Sequence, residues 1–228
     1  MKLTLIAIQE FGTDIRSFIF ESDRQFKWLP GQYLHYTLKH KNEDDRGNER
    51  WFTIASPPSS GKVQITTRIT SEKGSSFKKA LLALRIGDEI EADGPEGDFV
   101  VSDPSRNLIF VAGGIGVTPF HSILTEADAL NQKLHIHLLY ANRTQEVPFR
   151  DELNAFATRN PQLTIEYIIQ PQKIDKEILK ESIESLEDPL IYVSGPEPMV
   201  ETFVAYLTEL DIAEANIKTD FFPGYKDD

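Results

Sequence analysis

The chain has 228 residues, no cysteine and a formal net charge of −12. Without cysteine there is no disulfide framework, thiolate zinc site, cysteine nucleophile or thiolate-held iron–sulfur cluster, and the length suffices for two domains, each with its own core. The acidity is uneven: 14 Lys and Arg face 16 Asp and Glu up to residue 103, and 10 face 20 beyond it. This argues against nucleic acid as a partner, because phosphate binding needs a basic surface.

The first ten residues, MKLTLIAIQE, lack the long apolar region and cleavage box of a signal peptide, and no run reaches membrane-spanning length. A soluble, cytoplasmic chain without membrane insertion is therefore expected. Residues 3–8, 15–20, 33–38, 51–55 and 63–70 are short, mostly alternating and rich in β-branched or aromatic residues, with turn signals such as Pro30-Gly31 between them. No long helix interrupts them, which predicts an antiparallel barrel or sandwich. The polar segment 39–49, KHKNEDDRGNE, reads as an exposed loop that either covers a ligand or is simply solvated.

After that loop comes Arg50-Trp51-Phe52-Thr53. A guanidinium suited to phosphate oxygens sits three residues from a hydroxyl. On a flat strand the two face opposite ways, so one ligand touching both requires a bend or a bulge. Gly74, Ser75 and Ser76 then open a short helix whose N-terminus suits an anion. Arg68, Lys73, Lys78 and Lys79 make the nearest basic patch, equally readable as a solvated face. Asp103-Pro104 looks like a boundary, giving a first domain of residues 1–103 and a second of 104–228.

Beyond Pro104 strands and helices alternate: strands at 108–112, 134–140, 163–169, 190–194 and 216–219, helices at 117–130, 146–158, 175–185 and 197–210. That predicts an α/β doubly wound parallel sheet with its ligand crevice at the carboxyl ends of the strands. Gly113, Gly114 and Gly116 follow the first of these strands. They can turn, approach an anion closely and aim free N–H groups at it, and Pro119 fits the first helical turn. By itself this stretch is either a nucleotide-phosphate cradle or a close-packed turn. Ser194-Gly195-Pro196 lies on the same sheet edge. Asn142 and Arg143 follow the second strand, where an NAD-selective fold often places a carboxylate; Arg143 is either a partner for a 2′-phosphate or an exposed loop arginine. The histidines suggest no metal site. His135 and His137 share a strand face without a carboxylate at ligand spacing, and His35, His40 and His121 are scattered.

Six segments in order, PGQY (30–33), RWFT (50–53), GSSFKKAL (74–81), GPEGDF (94–99), GGIGVTPF (113–120) and SGPEPM (194–199), resemble the ferredoxin–NADP reductase family over nearly the whole chain. The resemblance implies a Greek-key β-barrel that binds a flavin, FAD rather than FMN, followed by an α/β domain that binds NADPH or NADH. It implies Arg50 on the flavin pyrophosphate, Phe52 against the flavin, Thr53 on the reactive ring nitrogen, and Gly74, Ser75 and Ser76 on the phosphates, with Trp51, Thr67 and Arg68 nearby. The pyridine nucleotide falls to Gly113, Gly114, Ile115, Gly116, Thr118, Pro119, Asn142, Arg143, Ser194, Gly195, Pro196 and Met199, the last also filling space behind the SGP turn. Ser194 stands where many relatives carry cysteine. Asp220 and Phe222 resemble the family's terminal acid-x-aromatic pattern, with Tyr225 as a rival for the ring stacking on the flavin. Thr53, Ser194, Asp220 and Phe222 are thus the implied catalytic set. The implied activity is hydride transfer from NAD(P)H, with Arg143 favouring NADPH, to the flavin, then electron transfer to an external acceptor: a ferredoxin- or flavodoxin-type carrier, a ferric chelate, free flavin, oxygen or a partner oxygenase. The alternative is a non-catalytic module that keeps the fold to bind flavin or nucleotide for regulation or scaffolding.

Overall fold

Alternating side chains build the first sheet of the computed structural model, which describes residues 1–69 and 74–222, the side chain of Phe222 excepted. Strands β1 (Lys2–Phe11), β2 (Ile15–Ser22), β3 (Tyr33–Thr37), β4 (Glu49–Thr53), β5 (Val63–Arg68) and β6 (Glu89–Glu96) lie in the order β4-β3-β6-β1-β2-β5. Neighbours run antiparallel throughout. Leu3, Leu5, Phe18, Phe20, Leu34, Tyr36, Val63 and Ile65 form the inner face and share a core with Phe77 and Leu81 of helix α1 (Ser76–Ala83). The sheet curls towards closure where the Ala55 N–H donates to Gln64 O of β5 at 2.9 Å. Strand β6 adds to the predicted set and sits in the middle of the sheet. Its core signal is only Ile90 and Ala92 between acidic residues.

The second sheet is parallel, with order β11-β10-β7-β8-β9. Its strands are β7 (Leu108–Gly113), β8 (Ile136–Asn142), β9 (Leu163–Ile169), β10 (Leu190–Pro196) and β11 (Ile217–Phe222), alternating with helices α2 (Thr118–Ala129), α3 (Arg150–Arg159), α4 (Lys176–Glu184) and α5 (Glu197–Glu209). Every residue of β7 is buried because helices cover both faces. Leu108 and Phe110 pack with Phe120, Leu153 and Phe156 of α2 and α3, while Ile109 and Val111 pack with Leu179, Val200 and Phe203 of α4 and α5. Helix α3 starts four residues later than the spacing predicts, since Pro148 precedes it and Phe149 takes a left-handed φ of 60°.

Strand order reverses between β7 and β10, and such a switch point opens a crevice at the carboxyl ends of both strands. The crevice faces the first sheet. The connecting segment is fixed by Phe99, which packs on Phe120 and Tyr192, and by the Tyr192 hydroxyl, which donates to Val100 O at 3.1 Å. Among the described residues no helix is long and apolar enough to cross a membrane.

Candidate active site between the two sheets

Two candidate anion seats, at the start of α1 and at the turn after β7, and one carboxylate–hydroxyl pair make up the candidate site. The first seat lies beside α1. Ser75 caps the helix, accepting from the Lys78 N–H at 3.2 Å. Arg50 Cζ lies 5.4 Å from the centre of the Phe77 ring, and the Phe52 and Phe77 rings are 5.9 Å apart, so Arg50, Phe52 and the start of α1 share one face. Burial lowers the pKa of Arg50, and Nη1 is held by the carbonyls of Arg46 (2.8 Å) and Glu49 (2.5 Å). Its Nη2 is buried with no partner among the described residues. A buried donor without an acceptor is costly, so this atom suits a ligand oxygen.

Asp44 of the 39–49 loop occupies the start of α1. Its Oδ2 takes the Ser76 N–H at 2.7 Å, while its own N–H donates to Ser76 Oγ at 3.0 Å. Arg46, then the Ser76 amide, hold the Asp44 carboxyl well below the usual range. A negative charge is favoured at a helix N-terminus, and here the carboxylate supplies it. Thr67 and Arg68 close β5 beside this region; Thr67 is buried, and Arg68 pairs with Asp14 while its carbonyl accepts from Lys78 Nζ. Gly74 follows residues 70–73, which lie outside the described chain. Trp51 is not brought to this group. It projects from the other side of β4, is 59% exposed and stacks on His35 at 4.5 Å, as strand alternation dictates.

Strand β4 pairs with β3 without a bulge, so Thr53 does face away from Arg50. The required bend comes just after it. The Ile54 N–H still donates to Gln32 O, but the Ala55 N–H has changed partner to β5. Thr53 is therefore buried at a corner of the sheet, paired in register with Tyr33. Burial, with Glu96 and Asp220 close by, pushes the Tyr33 phenol up. That places the Thr53–Tyr33 pair near the carboxylate of the second sheet.

The second seat is the turn Gly114–Val117, which leads from β7 into α2. Gly114 has a φ of 54° and open space around its missing Cβ, so its amide can turn outward. Tyr140 OH donates to Gly114 O at 3.0 Å and Thr118 Oγ1 to Ile115 O at 3.2 Å, fixing the loop ahead of Pro119. A Cβ on Gly116 would stand 2.2 Å from Ser194 O, and one on Gly113 2.2 Å from Met199 Sδ. The ends of β7 and β10 thus touch through bare backbone, with Met199 packed beside Gly113 and Gly195. Asn142 is buried at the end of β8, its amide close enough to the Tyr140 hydroxyl to oppose the rise that burial gives that phenol. Arg143 is exposed beyond it and makes an interaction of its own.

Ser194 is fully buried and pairs in register with Asp220 of β11; its Oγ donates to Asp220 Oδ2 at 3.4 Å. Burial pushes the Asp220 carboxyl up to about 6, the Ser194 hydrogen bond opposing it. Phe222 lies opposite Pro196 in the ladder, but its side chain, like Tyr225, is outside the described residues. Tyr33, Tyr140 and Asp44 were not singled out from sequence; each enters through contacts between residues far apart in the chain, Tyr33 with Thr53, Tyr140 with Gly114 and Asp44 with Ser76.

Two family models match the chain, the oxidoreductase FAD-binding domain over residues 2–101 and the oxidoreductase NAD-binding domain over 110–205. The electron transfer component of toluate 1,2-dioxygenase from Pseudomonas putida is 28% identical over 208 residues, covering 87% of this chain and 60% of that protein. The chain spans between 32% and 60% of the length of the first curated relatives it matches. Among solved structures, the FAD/NAD-binding domain of nitric oxide dioxygenase from Vibrio cholerae superposes with a TM-score of 0.83 at 18% identity, covering 97% of this chain and 98% of that one. Ferredoxin–NADP+ reductase from Plasmodium falciparum gives 0.82 at 18%, covering 97% and 95%. The chain thus belongs to the oxidoreductases that join an FAD-binding domain to an NAD-binding domain, on a fold it shares with ferredoxin–NADP+ reductase.

Proposed function

We propose that the chain is an NAD(P)H-dependent flavoprotein reductase that passes electrons to an external acceptor, with a flavin unit of residues 1–103 and a nucleotide unit of 104–228, acting in the cytoplasm. What supports this reading is that α2, into which the glycine turn leads, bonds to Ala55 and Ser56 just past Thr53, and that Asp220, the partner of Ser194, lies near Tyr33, the partner of Thr53. When bound, the pyridine nucleotide supplies a hydride and FAD accepts it and releases electrons onward.

In this reading Arg50 Nη2 and the Ser75 and Ser76 region hold the FAD phosphates, and Phe52 backs the ring system. Thr53 presents its hydroxyl to the reactive ring nitrogen, and Thr67 and Arg68 border the same site. Gly113, Gly114, Ile115, Gly116, Thr118 and Pro119 seat the pyrophosphate of the donor, with Asn142 beside it. Ser194, Gly195, Pro196 and Met199 give the nicotinamide a flat, apolar approach. Asp220, through Ser194 Oγ, holds a proton next to that approach below about pH 6 and a charge above it. Phe222 covers the flavin until nicotinamide arrives, and Arg143 meets a 2′-phosphate, favouring NADPH. The dioxygenase component among the relatives supports a partner oxygenase or a comparable carrier as acceptor.

The test is purification with FAD, followed by NADPH- and NADH-driven reduction of a ferric or cytochrome acceptor. A yellow protein that turns over supports the reading. A colourless protein that binds nucleotide without reducing any acceptor sinks it and favours a non-catalytic module.

A further inference from the structure

The face of β4 that carries Thr53 continues beyond the site. In the ladder of β3 and β4, Tyr33 stands against Thr53 and His35 against Trp51, and these four project away from the core that takes up Leu34, Tyr36 and Phe52. Trp51 is thus one pleat, about 7 Å, from Thr53 on the same face. It is 59% exposed, yet it is held flat: its ring stacks on His35 with centroids 4.5 Å apart and planes 19° from parallel, and Glu49 Oε2 lies 3.3 Å from His35 Nε2. A large ring left in water but fixed in one orientation loses little entropy on contact, and Trp is among the residues that anchor interfaces.

The charge around this ring has one sign. Exposed Asp93 and Glu96 of β6 stand opposite His35 and Tyr33 in the ladder. Glu96, Asp220 and Asp98 all lie close enough to the Tyr33 phenol to add to the rise that burial gives it. The nearby cations are already engaged: Lys39 pairs with Glu91 at 3.4 Å, Lys218 donates to Asp98 O at 3.1 Å, and Arg50 lies on the opposite face of β4. We infer that this face, with Trp51 as its anchor, is where the external electron acceptor docks, and that the acceptor is a one-electron carrier protein with a basic surface around its redox centre. The inference rests on the reductase reading, which sets the reactive flavin ring against Thr53, so a carrier seated on Trp51 is one pleat of a strand from it. Lys or Arg of the carrier pairs with Asp93 and Glu96 at the rim and lies over the open face of the indole. An acidic carrier meets like charge instead. Two oxidised carriers visit per hydride; each leaves with one electron, and the proton that came with the hydride returns to solvent.

The test uses the FAD-loaded chain and two probes of opposite charge, basic cytochrome c and acidic cytochrome b5. Binding is read from the indole nitrogen-15 signal of Trp51 on titration with each oxidised cytochrome. Electron transfer is read by anaerobic stopped-flow mixing of the dithionite-reduced protein with each cytochrome and with benzoquinone, a small neutral acceptor that needs no docking face. Cytochrome c is expected to shift the indole signal and to be reduced about tenfold faster at low than at high salt; cytochrome b5 should do neither. Trp51→Ala and Asp93→Lys should each slow cytochrome c about tenfold, and Asp93→Lys should leave benzoquinone reduction unchanged. A silent indole signal, equal rates for the two cytochromes, or a cytochrome c rate unmoved in either variant overturns the inference. So does loss of FAD in Trp51→Ala, which would put the ring under the flavin, or a dimer that Trp51→Ala dissociates, which would make the face a contact between two copies. The indole shift and the dithionite step need no NAD(P)H, so failure of the reductase reading and failure of the docking face are told apart.

Discussion

Alanine at Gly116 is the most demanding single change this structure can be asked about. The added Cβ would lie 2.2 Å from Ser194 O, 2.6 Å from Ser194 C and 2.7 Å from Gly195 Cα. All three are backbone atoms at the end of β10, where Ser194 is paired with Ala112 on one side and Asp220 on the other. A rotamer change cannot relieve the overlap, so the cradle must retreat from β10 by about 1 Å to reach ordinary contact. Overpacking of this kind costs about 1 to 3 kcal/mol, and a backbone neighbour puts Gly116→Ala at the top of that range. The same displacement separates the nucleotide seat from Ser194 and should slow hydride transfer by about a hundredfold. Gly114→Ala is the control. Nothing lies within 4 Å of its Cβ, so only the left-handed φ of 54° opposes it, at about 1 to 2 kcal/mol. Urea unfolding gives the stability order, and anaerobic stopped flow gives the reduction rates. FAD content should be unchanged in both, because the flavin seat belongs to the other sheet. A Gly116→Ala protein reduced at the wild-type rate, or less damaged than Gly114→Ala, would refute the close-approach argument.

Further changes separate the remaining parts of the site. Asp44→Ala frees the Ser76 amide and removes a carboxylate from the phosphate seat, so FAD should bind two- to fivefold more tightly, about 0.5 to 1 kcal/mol by equilibrium titration; weaker binding would mean that Asp44 supports the flavin rather than competing with it. Burial raises the Asp220 carboxyl to about 6, so its proton is retained in the folded state between about pH 4 and 6. Stability from this group is present at low pH and falls as pH rises through that window. Asp220→Asn should flatten both the stability curve there and any limb near pH 6 in the reduction rate; an unchanged limb assigns it elsewhere. Arg143→Ala should weaken NADPH by about 1.5 to 3 kcal/mol and leave NADH unaffected, and equal effects on both nucleotides would remove Arg143 as a reader of the 2′-phosphate.

What the sequence made legible follows from how local each signal is. A continuous apolar run stopping at paired glycines marks β7 and its cradle without any knowledge of the rest of the chain. The parallel order and the crevice follow from alternating elements and the handedness of crossovers. Strand β6 was not legible because its two buried residues are small or isolated and the rest is acidic. The 39–49 loop could be read only as cover or solvated chain, since Asp44 gains its meaning from Ser76, 32 residues away. His121 looked incidental for the same reason: its partners are 66 and 31 residues distant. Trp51 is the opposite case, as strand alternation alone sets it on the face away from Arg50 and Phe52.

In the proposed reaction hydride passes from a nucleotide on the Gly113–Pro119 side to a flavin on the Arg50–Thr53 side. Its most direct test is single-turnover, anaerobic mixing of the FAD-loaded protein with NAD(P)H and with the donor deuterated at the transferred position. The expected result is bleaching of the flavin in one phase that slows severalfold with deuterium. A flavin that stays oxidised with both NADPH and NADH contradicts the account.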